Sequence, residues 1–144
     1  MGKMNCLITI NDYHNTDGNM EKAELTTSAQ IYGNSDRYFI EYDEQSNELK
    51  GCHTVMEIEG EDSVSISRTG SYTTNMKISK NKRNLCCYTT PVGTITMGVN
   101  ATRIISDFAD DKLNELDFTY TLDIDNVLLN KNRIRITAKY KEEN

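Results

Sequence analysis

The sequence is poor in the features that mark several large classes of protein. It has no tryptophan, one proline and two histidines, and its apolar runs, such as Val127–Leu129, are far shorter than the roughly 20 residues of a membrane-spanning helix. Only 16 basic residues stand against 22 acidic ones, for a net charge of −6, so the basic surface typical of nucleic-acid-binding proteins is missing. The sequence therefore predicts neither a membrane span nor a nucleic-acid partner.

Alanine is also scarce, and this scarcity indicates the fold class. The chain has 5 alanines, whereas Thr, Ile, Val, Tyr and Phe together make up 45 of its 144 residues. A helical bundle would be richer in Ala and Leu, while β-branched and aromatic side chains suit a half-buried sheet. A chain of this length forms one domain and buries about 68% of its unfolded surface. We therefore expect a single all-β domain over residues 1–144.

The N-terminal segment and the cysteines indicate a cytoplasmic protein. Residues 1–15 lack the apolar centre and the small-residue cleavage site of a secretory signal. The four cysteines show no C-x-x-C spacing, and the adjacent pair Cys86-Cys87 would face opposite sides of a strand. Reduced cysteines and no bound metal are the simpler expectation.

Apolar and polar residues alternate along most of the chain. The clearest run places Leu116, Phe118 and Tyr120 on one face, between Asp117, Thr119 and Thr121. Strict alternation predicts antiparallel strands with one buried face. Turn residues such as Asp17-Gly18 separate about ten of them, at 4–10, 21–32, 37–44, 52–59, 63–69, 72–80, 83–90, 94–105, 114–124 and 127–141. An up-and-down barrel of eight to ten strands buries such faces without open edges, and a two-sheet sandwich is the alternative.

Turn lengths predict three layers of inward-facing side chains from the second to the eighth strand. The first layer comprises Ile31, Tyr38, Ile58, Val64, Ile78, Leu85 and Val99. The second comprises Ala29, Ile40, Met56, Ile66, Met76, Cys87 and Met97. The third comprises Thr27, Tyr42, Thr54, Arg68, Thr74, Thr89 and Ile95. The third layer is mostly polar and lies nearest one set of turns, so we expect it to line one mouth of the barrel.

Four segments resemble a known family. RYFIEYDE (37–44), SVSISRTG (63–70), CYTTPVGTITMGV (87–99) and LDFTYTLDI (116–124) are similar to the YwiB-like family, and the likeness extends over about residues 4–140. Those proteins are small, cytoplasmic and bacterial, with a calycin-type, lipocalin-like β-barrel and no assigned activity. The resemblance thus implies the barrel and a cytoplasmic location, and it suggests small-ligand binding by analogy of fold alone.

The sequence offers little catalytic chemistry. We expect His14 in a polar loop and His53 on a solvent-facing side, so neither predicts a zinc site. No G-x-S-x-G motif is present, and Asp110-Asp111 is better explained as a solvated turn than as a pair of catalytic acids. We expect no enzyme activity and no cofactor. A basic stripe on the last strand, formed by Arg133, Arg135, Lys139 and Lys141, is expected to pair with Asp117 and Asp123 on the strand before it.

Arg68 is the most informative single residue, because it follows Val64 and Ile66 on an otherwise apolar face. Buried arginines are rarely unpaired. In one interpretation Arg68 binds an anionic ligand at the mouth, with Tyr42 and the threonines as hydrogen-bond partners. In the other, which we favour, it pairs internally with Glu44 or reaches solvent at the end of its strand. The candidate site residues are Arg68, Tyr42, Glu44, Thr54, Thr74 and Thr89.

Two functions fit this reading of the sequence. The first is a non-enzymatic, intracellular binding barrel for a small, partly apolar, anionic molecule. The second is a structural or protein-interaction barrel whose interior is filled by its own side chains. Both remain open, because the interior of an eight-stranded barrel can hold either packed side chains or one small ligand. The predicted layer containing Met56, Met76 and Met97 favours filling. The sequence does not predict an oligomeric state.

Overall fold

The structure is a computed structural model that describes residues 2–44, 51–70, 73–90 and 93–140, with the backbone alone for 88–90. These residues form ten strands: β1 (Met4–Thr16), β2 (Asn19–Gly33), β3 (Arg37–Asp43), β4 (His53–Glu59), β5 (Ser63–Thr69), β6 (Thr74–Ser79), β7 (Asn84–Thr90), β8 (Gly93–Ala109), β9 (Lys112–Ile124) and β10 (Val127–Tyr140). The number and order of the strands agree with the prediction. Within the described ranges, no helix is long and apolar enough to cross a membrane.

All ten strands belong to one antiparallel sheet in the order β6-β5-β4-β3-β2-β1-β10-β9-β8-β7. The pairing of β1 with β10 joins the two halves of the sheet and leaves β6 and β7 as its two edges, which the curvature of the sheet brings together. At the seam between these edges the side-chain amide of Asn84 donates hydrogen bonds to the backbone carbonyl of Lys77 (3.0 Å) and to the hydroxyl of Ser79 (2.9 Å). The fold is therefore a nearly closed up-and-down barrel, which confirms the predicted all-β architecture and excludes the two-sheet sandwich.

Two-residue hairpins determine where the longest strands end. Asp17 and Gly18 have φ values of 51° and 82°, and Asp125 and Asn126 have φ values of 52° and 67°. Two consecutive positive φ values are the requirement of type I′ turns, which match the twist of the flanking strands. The first hairpin lets β1 continue to Thr16, well past the predicted end at residue 10.

The predicted registers are correct from β3 to β6 and wrong between β2 and β3. The prediction paired Ile31 with Tyr38. In the structure Ile31 lies opposite Ile40, and Tyr38 lies opposite Gly33, so the register differs by two residues. The loop explains the shift: the Asn34 amide donates to the Arg37 carbonyl at 2.9 Å, which places the turn after Gly33. A shift of two residues keeps every side chain on its predicted face.

The predicted register of β7 is wrong by one residue, and its faces are reversed. Cys86 is buried opposite Met97, while Leu85 and Cys87 are exposed. The prediction assumed a three-residue turn before β8, whereas Thr90 pairs directly with Gly93. Because the turn is one residue shorter than predicted, the register shifts by one residue, and the buried and exposed faces of the whole strand are exchanged.

The end of the barrel opposite the 17–18 and 125–126 hairpins is filled with side chains. Tyr38, Phe118 and Leu116 are at most 1% exposed, and the rings of Tyr38 and Phe108 meet edge to face at 5.0 Å. The Tyr38 hydroxyl lies 2.7 Å from the hydroxyl of Ser106. This end therefore supplies the core, and it leaves the other half of the interior as the place for a site.

Candidate functional site

The other half of the barrel contains a cavity of about 380 Å³. Its apolar walls include Ile10, Met56, Ile66, Met76, Met97 and Ile134. The sequence predicted that Met56, Met76 and Met97 fill the interior, whereas in the structure they line the cavity. Ligand pockets usually measure about 300–1,000 Å³, so the cavity lies within the range for a small molecule.

Polar side chains enter this cavity from two sides. Arg68, Tyr42 and Thr74 line it on one side, at the ends of β3, β5 and β6, and Asp12 and His14 line it on the other, from β1. Three of the six residues predicted for the site thus reach the cavity. Of the other three, Glu44 and Thr54 contact Arg68, and the side chain of Thr89 lies outside the described part of the chain.

Arg68 forms an internal ion pair, as the favoured interpretation predicted. Its Nε lies 3.2 Å from Glu44 Oε1 and donates to Thr54 Oγ1 at the same distance. The Thr54 hydroxyl in turn donates to Glu44 Oε1 at 2.7 Å. Glu44 and Thr54 are 7% and 0% exposed, so the carboxylate is desolvated and is stabilised by donors from its neighbours, Arg68 and Thr54 among them.

Tyr42 lies next to this cluster and is 6% exposed. Burial raises the pKa of its phenol, and the Glu44 carboxylate raises it further, while Arg68 acts in the opposite direction. The phenol therefore stays protonated at neutral pH and can donate a hydrogen bond.

Asp12 and His14 are the functional residues that the sequence analysis missed. The polar loop predicted for His14 is wrong, because this residue lies in β1 and reaches the cavity. His14 Nε2 lies 3.1 Å from Asp12 Oδ1, and His14 Nδ1 contacts Asn132 Oδ1. The inward alternation of Cys6, Ile8 and Ile10 continues to both residues, and the Asp17-Gly18 turn could have shown that the strand extends this far.

Burial raises the pKa of Asp12, while His14 and, more weakly, Arg68 lower it. The carboxylate is thus partly desolvated at the edge of an apolar cavity. Perturbed carboxyl groups of this kind are concentrated at functional sites, although structural ion pairs produce them too.

Several other charged residues among those described pair on the outside of the barrel. Arg133 Nη2 lies 2.7 Å from Asp117 Oδ2, and Arg135 contacts Glu115, so these two arginines of the basic stripe have a structural role, whereas Lys141 lies outside the described residues. Asp123 pairs with Arg83, the residue just before β7, and not with the basic stripe. His53 is exposed, as predicted, and lies 2.8 Å from Asp43.

The remaining catalytic and metal-binding candidates are accounted for by local structure. Asp110 and Asp111 form the turn between β8 and β9, with φ values of 53° and 60°. Over residues 2–44, 51–70, 73–90 and 93–140, no three His, Cys, Asp or Glu side chains converge as a metal site would require.

Comparison with known proteins supports the fold. The model of a family described as "Domain of unknown function (DUF1934)" matches residues 8–136. A solved structure titled "Crystal structure of ywiB protein from Bacillus subtilis" superposes with a TM-score of 0.77 at 16% identity, over 97% of this chain and 94% of that one. A search of curated proteins found no match. At this identity the structural likeness shows the shared fold and nothing about a ligand.

Proposed function

Because the chain belongs to the DUF1934 family, a domain of unknown function, we propose a function from the barrel itself: the protein binds a small, partly apolar molecule inside it. The observation that supports this proposal is the cavity of about 380 Å³, which has apolar walls and a few converging polar groups. This combination is the usual form of a small-molecule site.

The contrast between the two ends of the barrel favours binding over a filled interior. At the opposite end the space between Tyr38, Phe108 and Leu113 is about 20 Å³, large enough for one water molecule. A barrel with a purely structural role would gain dispersion energy by packing both ends equally well. The open half forgoes that gain around Met76 and Met97, which remain partly exposed.

We place this function in the cytoplasm. The four cysteines form no disulfide bond, and three of them are buried. Reduced cysteines are typical of proteins that stay in a reducing compartment.

Native mass spectrometry of protein purified gently from its own host tests the binding proposal. We expect an added mass that survives gentle ionisation and is lost on denaturation. A matched pair of variants locates the ligand: Met76→Trp fills the cavity and should remove the added mass. Lys77→Trp, on the outer face of the same strand, should retain it. Clean apo protein in every preparation would support the structural barrel instead.

A further inference from the structure

The charges that face the cavity do not favour an anion. Arg68 lies 3.2 Å from the Glu44 carboxylate, and it also interacts with the carboxylate of Asp12. The two carboxylates of Asp12 and Glu44 thus outnumber the single guanidinium of Arg68 at this end of the barrel. The reason for expecting an anionic ligand was an unpaired Arg68, and the pairing with Glu44 removes it.

The hydrogen bonds around His14 leave the Oδ1 atom of Asp12 without an aligned donor among the described residues. The Asn132 amide nitrogen donates to Asn130 Oδ1 at 2.7 Å, and this orients the Asn132 carbonyl oxygen toward His14 Nδ1. When the imidazole is neutral it carries one N–H, and the acceptor facing Nδ1 favours the tautomer with the N–H at that atom. His14 Nε2 is then an acceptor that faces a second acceptor, Asp12 Oδ1.

The Asp12 carboxylate bears out this assignment. Its Oδ1 atom is buried and makes no aligned hydrogen bond to any described residue, although His14 Nε2 is only 3.1 Å away. A buried oxygen without a donor destabilises the protein, and more strongly when the oxygen is charged. Two acceptors therefore converge at the edge of the cavity, and one of them is negatively charged.

We infer that the ligand of this cavity carries a primary ammonium group, which donates one N–H to Asp12 and another to His14 Nε2. An ammonium supplies three donors and a positive charge, so it satisfies both acceptors and offsets the excess carboxylate. The apolar part of the ligand then lies against Ile66, Met76 and Met97. This inference rests on the proposed binding function and specifies the chemistry of the ligand.

Three eight-carbon probes that differ only in the head group test the inference: octylammonium, 1-octanol and octanoate. Their affinities for the wild-type protein are measured by isothermal titration calorimetry at pH 7.5. We expect octylammonium to bind at least tenfold more tightly than either of the others. Equal affinities, or tighter binding of octanoate, would overturn the ammonium assignment and leave the binding function intact. If no probe binds, both proposals fail.

Asp12→Asn then tests whether this carboxylate is responsible. The substitution keeps the size of the side chain and removes its charge, so we expect octylammonium to lose its advantage while 1-octanol binds as before. Glu24→Gln removes an exposed carboxylate from β2 and should leave all three affinities unchanged. An undiminished preference for octylammonium in Asp12→Asn would contradict the assigned role of Asp12. Because the ranking of the probes on the wild-type protein already tests the ammonium head, the inference does not depend on the variant being well folded.

Discussion

The ion pair between Arg68 and Glu44 allows a quantitative test of the interior. Arg68→Leu replaces the guanidinium with an apolar side chain of moderate size. It removes every hydrogen-bond donor that Arg68 offers to the Glu44 carboxylate. Glu44 is 7% exposed and keeps the Thr54 hydroxyl as a donor. Removing one partner of a buried pair typically costs about 3–5 kcal/mol.

The magnitude expected here is somewhat smaller. The Arg68 side chain is 21% exposed, so water can reach part of the vacated volume and solvate Glu44. We expect the free energy of unfolding to fall by about 2–4 kcal/mol, which for a chain of this size lowers Tm by roughly 6–12 °C.

Urea denaturation of four proteins completes the cycle: wild type, Arg68→Leu, Glu44→Leu and the double variant. Because the double variant leaves no lone buried charge, it should recover most of the loss and unfold within about 1 kcal/mol of wild type. Arg103→Leu is the control, since Arg103 is 55% exposed and lies 3.9 Å from its acidic partner; it should change stability by less than about 0.5 kcal/mol. A neutral Arg68→Leu, or a double variant whose losses simply add, would refute the buried pairing.

Three further predictions test other parts of the fold. Ellman's reagent should react rapidly with one thiol of the native protein, that of Cys87, which is exposed. Cys86 should react slowly, because it is buried and burial raises the pKa of its thiol. A fast phase that persists in Cys87→Ser would disprove the register of β7. Arg133 holds the pKa of Asp117 below the ordinary value for an aspartate, so Asp117→Asn should lower Tm at pH 7, and the difference should disappear as the pH falls through the native pKa; an equal loss at pH 2 would argue against the ion pair. Gly33→Ala should cost at least about 2 kcal/mol in urea unfolding, because Gly33 has a φ of 109° and a Cβ there would overlap the backbone of β3; a neutral variant would show that the β2–β3 register is wrong.

The success of the predicted registers followed the strength of the local signal. Ile58 and Val64 are predicted and observed partners, because both strands alternate strictly around the Gly60-Glu61-Asp62 turn. In β7 the signal is weak, since Leu85, Cys86 and Cys87 are consecutive and either face is apolar enough to be buried. There the length of one turn decided the register, and the sequence does not define that length.

The candidate site was predictable where a residue departs from the pattern of its own strand. Arg68 on an apolar face indicated a buried partner, and the pair with Glu44 is present. Asp12 and His14 continue the buried face of β1 beyond its apolar part. They appeared to be loop residues because a polar residue that points into a cavity has the same local sequence as one that points into water.

The sequence by itself determined the period of two, the ten strands, the antiparallel order and most of the faces, because each depends on residues close together in the chain. Only the tertiary structure decided that the sheet curves into a barrel with a seam between β6 and β7, and that one half of its interior stays open. The cavity depends on how far apart Asp12 and Arg68 come to lie, and these residues belong to β1 and β5. Such distances are set by the curvature of the whole sheet and by the summed volume of side chains from many strands, and no local pattern encodes them.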